Sequence, residues 1–491
     1  MNKQAPQSQK KPQTAINPTR AEDFPLWYQE VIKAAEMAEN SPVRGCMIIK
    51  PYGYAVWENM QQIFDRMIKD LGVENAYFPL FIPLSFLAKE AQHVEGFAKE
   101  CAVVTHHRLE ADGKGGLIPA PSSKLEEPLV VRPTSETIIG DAMARWVQSY
   151  RDLPLKLNQW CNVVRWEMRT RMFLRTSEFL WQEGHNAFET AKEARENSLK
   201  MLDAYADFIE NSLAIPVIKG EKTPDERFPG ADMTYTVEAM MQDGKALQAG
   251  TSHDLGQNFS KSIGIKFQGR TGEQEFAYTT SWGISTRLIG GMIMTHADDD
   301  GMIMPPRIAP YHIVIIPITK DDGSSEAVVN YARTIAAQCK AAGLRARVDE
   351  TAERTPTKMW NAIKKGVPVR VEVGAREMEE GGLTFIRRDL GKDSKKTMKL
   401  AEFVAAAPGV LDAMHADMLG RARAFRDANI HDMATLKDAE AFYKSGKLGF
   451  VRMNASITQD PDYERFKSDN GLSSRCMPLA EPGKILIGKA Y

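Results

Sequence analysis

Residues 161–185 constrain this chain more than any other stretch. They run Cys161-Asn-Val-Val-Arg165-Trp-Glu167-Met-Arg169-Thr-Arg171-Met-Phe-Leu-Arg175-Thr-Ser-Glu-Phe179-Leu-Trp181-Gln-Glu183-Gly-His185. Apolar pairs, Val163-Val164 and Phe179-Leu180, flank a charged middle. The alternation at both ends predicts two antiparallel strands joined by a cationic loop. Strand side chains repeat every second residue, so Arg165 and Glu167 share one face. The returning strand offers Phe179, Trp181, Glu183 and His185 at the same spacing. A surface hairpin with solvated charges would satisfy the pattern. Arginine, however, suits bidentate phosphate binding, an aromatic face suits a base, and a buried Glu/His pair suits an amine. The hairpin carries all three in register.

The rest of the chain bounds what such a hairpin can serve. Its 491 residues predict roughly two to four domains. Net charge is −1, so contact with a nucleic acid has to come from local patches. The five cysteines, Cys46, Cys101, Cys161, Cys339 and Cys476, are scattered and form no CxxC pair. That spacing predicts neither a disulfide framework nor a cysteine-rich zinc site, and it fits a reducing, cytoplasmic setting. No apolar run approaches the ~18 residues of a membrane span, so no membrane association is expected. Residues 1–20, rich in Gln, Lys and Pro, read as a disordered tail.

Taken in order, residues 25–37 predict a helix, and 44–53 a strand and turn. A second helix carries Val56, Met60, Ile63, Phe64, Met67, Ile68 and Leu71 on one stripe, with Gly72 as its C-cap. Residues 76–83 are extended and apolar, and the polar stretch 110–127 reads as a mobile loop. A strand then ends in Arg132-Pro-Thr134-Ser-Glu136; in isolation, Thr-x-Glu before a helix is a capping arrangement. Residues 190–213 predict an amphipathic helix. Residues 226–259 hold Phe228, Gln248, Thr251 and His253 among glycines, where a lone histidine is as readily structural as functional. Residues 278–297 predict a strand leading through Ser281 and Gly-rich turns into a helix with an early Arg287. From residue 310 the texture changes. Strands over 312–317, 344–348 and 367–373 alternate with helices over 324–342 and 356–365, which argues a separate α/β domain. Residues 387–399 gather Arg387, Arg388, Lys392, Lys395, Lys396 and Lys399, either a solvated face or a patch for a nucleic-acid backbone. Helices are expected near 400–445.

Arg165-x-Glu167, a loop and Arg175-x-x-x-Phe179 resemble motif 2 of the class II aminoacyl-tRNA synthetases, and the continuation to His185 is similar to the prolyl-tRNA synthetases in particular. The helix, Gly72 and strand ending in Pro79 resemble motif 1, the class II dimer element, which implies a homodimer. Residues 278–297 resemble motif 3; Thr286 stands where the general class has Glu, a departure that prolyl enzymes share. The resemblance implies a fold of mixed α/β class. It comprises an α+β catalytic domain on an antiparallel sheet (21–308), an α/β anticodon-binding domain (309–408) and a small α+β C-terminal domain (409–491). Related C-terminal domains carry four zinc-binding cysteines; Cys476 stands alone here, so no structural zinc and no other metal ligand is expected. The terminal Tyr491 resembles a family tail that returns to the catalytic domain. Little chain separates His185 from Gln248, so the resemblance is to the archaeal/eukaryotic-like branch without an editing insertion.

What the resemblance implies about chemistry is ATP-dependent attachment of L-proline to tRNA(Pro) through prolyl-adenylate. ATP would meet Arg165, Glu167, Arg175, Phe179, Gln248, Thr251 and Arg287, with Mg²⁺ accompanying it, and Arg165 and Arg287 as the catalytic pair. Proline would meet Thr134, Glu136, Trp181, Glu183, His185, Phe228, His253 and Ser281. Two alternatives stay open. A threonyl or histidyl synthetase would share the motifs, though a threonyl enzyme would need zinc ligands in its pocket. A regulatory, RNA-binding paralogue would be expected to lose motif arginines.

Overall fold

The structure is a computed structural model that describes residues 14–89, 100–319 and 325–491. The described residues divide into two compact units, one drawn from residues 14–37 and 296–414, the other from residues 38–295 and 415–491. The division falls inside a 29-residue helix, Leu400–Ala428.

In the larger unit, eleven described strands form one sheet. One strand in from an edge of it lies the expected hairpin: Leu155–Val164 pairs antiparallel with Glu178–Phe188, setting Val163 opposite Phe179, Cys161 opposite Trp181 and Gln159 opposite Glu183. The cationic link between them is anchored from inside. Phe173 and Leu174 are buried, and Ser177 N–H donates to the Gly45 carbonyl at 2.8 Å. A Cβ on Gly45 would lie 2.4 Å from Ser177 Oγ, and its φ of +81° also favours glycine.

The next strands extend this face. Tyr278–Ser285 pairs with Glu178–Phe188, placing Ser281 opposite His185 and Gly283 opposite Glu183. Ala246–Asp254 adds His253 opposite Ser281 and Thr251 opposite Gly283, and Met233–Met240 adds Thr234 opposite His253 and Thr236 opposite Thr251. Directly opposed residues share a face. Two mainly polar rows, His185-Ser281-His253-Thr234 and Gln159-Glu183-Gly283-Thr251-Thr236, therefore cross one side of the sheet. The other side is covered by helix Ala191–Leu213, whose start is closed by a capping box between Thr190 and Glu193. There Tyr205 Oη donates to Gln182 Oε1 at 2.8 Å, and Ser252 Oγ to the Ser198 carbonyl at 2.8 Å. Gln182 and Ser252 alternate with Glu183 and His253, as the pleat requires.

The C-terminal strands join the same sheet. Ser473–Pro478 pairs with Val217–Glu221, setting Pro478 opposite Gly220. Residues 415–491 thus share a compact unit with this sheet and extend it. Tyr491 N–H donates to the Ala246 carbonyl at 3.1 Å, and its hydroxyl bonds Asp243.

Several local expectations differ. Helix Pro51–Asp70 begins at the proline expected to lie in a turn, since proline's fixed φ suits the first helical position. The stretch read as a mobile loop holds a short hairpin, Leu109–Ala111 against Leu117–Pro119, because Asp112 accepts the N–H groups of Lys114 at 2.7 Å and Gly116 at 2.8 Å. Residues 1–13 of the expected tail lie outside the described residues; Ile16, just beyond, is buried.

The smaller unit contains a five-stranded sheet. Ile313–Pro317 lies between parallel partners Ala346–Val348 and Val369–Val373, and two antiparallel strands follow, Gly382–Arg387 and Lys396–Lys399. Helix Ser325–Ala341 buries Val328, Ala332, Ile335, Ala336 and Cys339 against it. Residue 324, expected to open that helix, lies outside the described residues. The basic stretch is narrower than its composition implied. Arg387 pairs with Asp389 at 2.9 Å and Arg388 with Asp298 at 2.6 Å, both largely buried, while Lys392, Lys395, Lys396 and Lys399 are exposed.

Candidate active site

The two polar rows floor a cavity of about 330 Å³. Its lining includes thirteen of the fifteen residues singled out from the sequence: Thr134, Glu136, Arg165, Phe179, Trp181, Glu183, His185, Phe228, Gln248, Thr251, His253, Ser281 and Arg287. Glu167 and Arg175 lie outside that lining, where Arg175 Nε stands 3.5 Å from Glu167 Oε2 and Glu167 Oε1 accepts from Arg169 N–H at 2.9 Å.

One half of the cavity is organised around a buried carboxylate. Glu183 Oε2 lies 3.0 Å from His185 Nε2, while its Oε1 accepts from Ser135 Oγ at 2.5 Å and Gln159 Nε2 at 2.8 Å. Burial alone would raise the Glu183 carboxyl, but the bonds from His185, Ser135 and Gln159 hold it below the ordinary range. Burial would likewise depress His185. The bond to Glu183 and the charges of Glu136 and Glu183 outweigh that and raise it. Glu136, beside them, accepts from Thr134 Oγ1. His253 behaves oppositely: burial, with the nearby charge of His185, pushes it down to about 3, so its imidazole is neutral at neutral pH. Its Nδ1 is 3.0 Å from Thr234 Oγ1, and the Phe228 ring lies 4.7 Å from its own. Ser281 Oγ is buried and, among the described residues, has no hydrogen-bond partner. Carboxylates, a neutral imidazole, a spare hydroxyl and aromatic walls suit a small molecule with a cationic nitrogen and an apolar body.

The other half is cationic. Arg165 Nε donates to the Pro133 carbonyl at 2.9 Å, and its guanidinium lies 5.6 Å from the Phe179 ring centroid and 5.3 Å from that of Trp181. Arg287 Nε donates to the Leu174 carbonyl at 3.1 Å, so the buried turn of the hairpin's cationic link sets its direction. Desolvation, then the charges of Arg165 and Arg175, push Arg287 down to about 10. A buried guanidinium depressed by cationic neighbours in this way is poised for an anion with several charges. Among the described residues, no group of three or more His, Cys, Asp or Glu side chains could hold a metal ion.

Sequence reading missed Ser135, Gln159, Lys222 and Glu238. Ser135 lies inside the Thr-Ser-Glu string and was open to notice. Gln159 becomes visible only once the hairpin register sets it opposite Glu183.

The chain is also similar to known proteins. Residues 121–296 match the tRNA synthetase class II core domain (G, H, P, S and T), and residues 312–408 match the anticodon binding domain. The chain is 60% identical to the proline--tRNA ligase of Bdellovibrio bacteriovorus, covering 95% of this chain and 94% of that one. It is 57% identical to the proline--tRNA ligase of Rhodopirellula baltica, covering 98% and 99%. Among solved structures, prolyl-tRNA synthetase of Cryptosporidium parvum complexed with L-proline and AMP superposes with a TM-score of 0.87 at 35% identity over 97% of each chain. The same protein complexed with halofuginone and AMPPNP gives a TM-score of 0.88. A class II synthetase core, an anticodon-binding domain and this degree of identity along nearly the whole chain together place it in the proline--tRNA ligase family.

Proposed function

We propose that the cavity activates L-proline with ATP and then passes it to tRNA(Pro). The carrying observation is that the cationic half and the carboxylate half line one continuous cavity. In the first step a proline carboxylate oxygen attacks the α-phosphorus of ATP and pyrophosphate leaves. In the second, a hydroxyl of the terminal tRNA ribose attacks the prolyl carbonyl and AMP leaves. No protein nucleophile is required; positioning and charge stabilisation carry the rate. Arg165 is assigned to the carboxylate and α-phosphate, Arg287 to the outer phosphates, and Phe179 to the adenine face, with Gln248 and Thr251 on the nucleotide. Arg175 and Glu167, outside the cavity lining, are assigned to the phosphate tail and the adenine amine on the resemblance alone. Glu136, Glu183 and His185 would meet the proline nitrogen, Thr134, His253 and Ser281 its polar atoms, and Trp181 and Phe228 its ring. Mg²⁺ would arrive with ATP as part of that substrate.

The same reading extends to finer points. The functional division runs 21–308, 309–408 and 409–491. Residues 189–245 are occupied by one long helix and the strands and turns of the sheet, which supports the branch without an editing insertion. Exposed Tyr77 and Phe81 in the motif 1 segment support a homodimer, and five free thiols support a reducing, cytoplasmic setting. The exposed Lys392, Lys395, Lys396 and Lys399 are assigned to the tRNA backbone. Amino-acid-dependent ATP–pyrophosphate exchange with each of the twenty amino acids tests the core reading. Exchange with proline is expected, and exchange with threonine or histidine in its place would overturn it.

A further inference from the structure

Beside the nucleotide half of the cavity lie three buried charges without an assigned role. Lys222 lines the cavity, and its ammonium stands 3.0 Å from Glu238 Oε1. Glu238 Oε2 accepts from Arg475 Nε at 3.1 Å and Nη2 at 2.7 Å. The side chains of Lys222, Glu238 and Arg475 are 3%, 0% and 7% exposed. Glu238 lies opposite Gln248, and Thr236, which donates to Glu238 Oε1 at 2.9 Å, lies opposite Thr251. Glu238, the centre of the triad, thus sits on the strand beside two residues of the nucleotide half.

The triad's charges do not cancel. Within it one carboxylate is shared between two cations, leaving one positive charge over; the further carboxylate whose charge reaches Arg475 is Glu226, in the wall of the same cavity. Burying an uncompensated cation is costly unless something answers it. An ammonium carries three N–H donors, and among the described residues Lys222 has Glu238 as its acceptor. Lys222 itself is in the wall of a cavity that already presents Arg165 and Arg287. Were Arg475 missing, Glu238 and Lys222 would form a closed neutral pair. Arg475 draws on the same carboxylate and so leaves Lys222 with capacity for a second anion. The tertiary fold arranges this: the strand carrying Arg475, Ser473–Pro478, pairs with Val217–Glu221, the strand that ends immediately before Lys222.

We infer that Lys222 is a further anion-binding residue of this cavity, that its ligand is the phosphate chain of the nucleotide, and that Glu238 and Arg475 are the positioning residues that hold and charge it. The inference rests on the ATP-site reading above. Lys222→Met tests it in the full chain; Glu238 then keeps Arg475 as partner, so no buried charge is orphaned. Calorimetric titration with a non-hydrolysable ATP analogue should show roughly ten- to hundredfold weaker binding, the size of one lost charge-assisted hydrogen bond, with proline affinity unchanged. Lys222→Arg should restore most of it. Arg475→Met should weaken the nucleotide in the same direction but add little when combined with Lys222→Met, and it serves as the deciding variant should Lys222→Met not fold. Undiminished nucleotide binding by a folded Lys222→Met protein, equal losses for nucleotide and proline, or additive losses in the double variant would overturn the inference while the unaltered chain still binds nucleotide. Failure of the unaltered chain to bind nucleotide would instead overturn the ATP-site reading and this inference with it.

Discussion

His185 Nε2 stands 3.0 Å from Glu183 Oε2, two residues back on the same strand face, and both side chains are almost wholly buried. Each partner's titration is shifted toward its charged form. The raised His185 contributes stability that is fully present below about 6.5 and is lost as pH rises through its higher folded value. The lowered Glu183 contributes stability that is present above about 4.5 and is lost as pH falls through its lower folded value. Ser135, Gln159 and Glu136, which face the pair, favour the same charged state, and neutral His253 adds no charge against it. The stability difference between the unaltered chain and Glu183→Gln is therefore expected to be largest between about 4.5 and 6.5 and to shrink toward alkaline pH. Thermal unfolding of both proteins across that range checks it; a difference independent of pH would contradict the ion pair.

Glu183→Gln should also injure the site. It leaves His185 without its carboxylate and misassigns the donors of Ser135 and Gln159, a cost of about 1–3 kcal/mol for an unsatisfied buried group. Proline-dependent exchange is expected to fall through a higher KM for proline, with the KM for ATP nearly unchanged. A variant with wild-type proline KM would remove Glu183 from the amine pocket.

Gly184, between these two residues, lies under an indole. A Cβ there would sit 2.0 Å from Trp282 Cε2, and a rigid buried ring can give way only by moving the strand that carries it. Gly184→Ala is expected to lose about 1–3 kcal/mol of stability and to broaden or shift the tryptophan fluorescence. A melting temperature within error of the unaltered protein would show that the strands slide freely at this point.

Arg165→Ala should lower adenylate formation by roughly two to three powers of ten, as for removal of one transition-state donor. The variant should fold, because the Arg165 guanidinium stands at the cavity wall, where its Nε donates to the Pro133 carbonyl at 2.9 Å, and lies outside the apolar core. Normal pyrophosphate exchange in the folded variant would rule the role out.

Alanine fits wherever proline does, and missing methylenes give only about 1–3 kcal/mol of discrimination in an apolar pocket. Measurable alanine-dependent exchange is expected, without hydrolysis of Ala-tRNA(Pro) by the purified protein. Rapid deacylation would contradict the branch without an editing insertion.

The hairpin, the long helices and the alternating texture of residues 310–373 were legible because each depends on local periodicity: two for a strand, 3.6 for a helix. The strings around Thr134, Arg165, His253 and Arg287 were legible as a resemblance, and four separate stretches of chain do meet in one cavity. Turn chemistry was harder to read. Asp112 closes a hairpin in a stretch whose composition matched a mobile loop, because two N–H bonds to one carboxylate outweigh an average over residues.

Local pattern therefore determined which segments form strands and helices and which side chains share a face. Only the tertiary structure decided what those faces meet. Strand register set Gln159 behind Glu183, the buried Leu174 carbonyl aimed Arg287, and a C-terminal strand brought Arg475 to Glu238 across 237 positions of sequence. Such relationships are invisible in a string of residues, because a buried charge is specified by whichever distant group desolvates and answers it, and that group is chosen by packing.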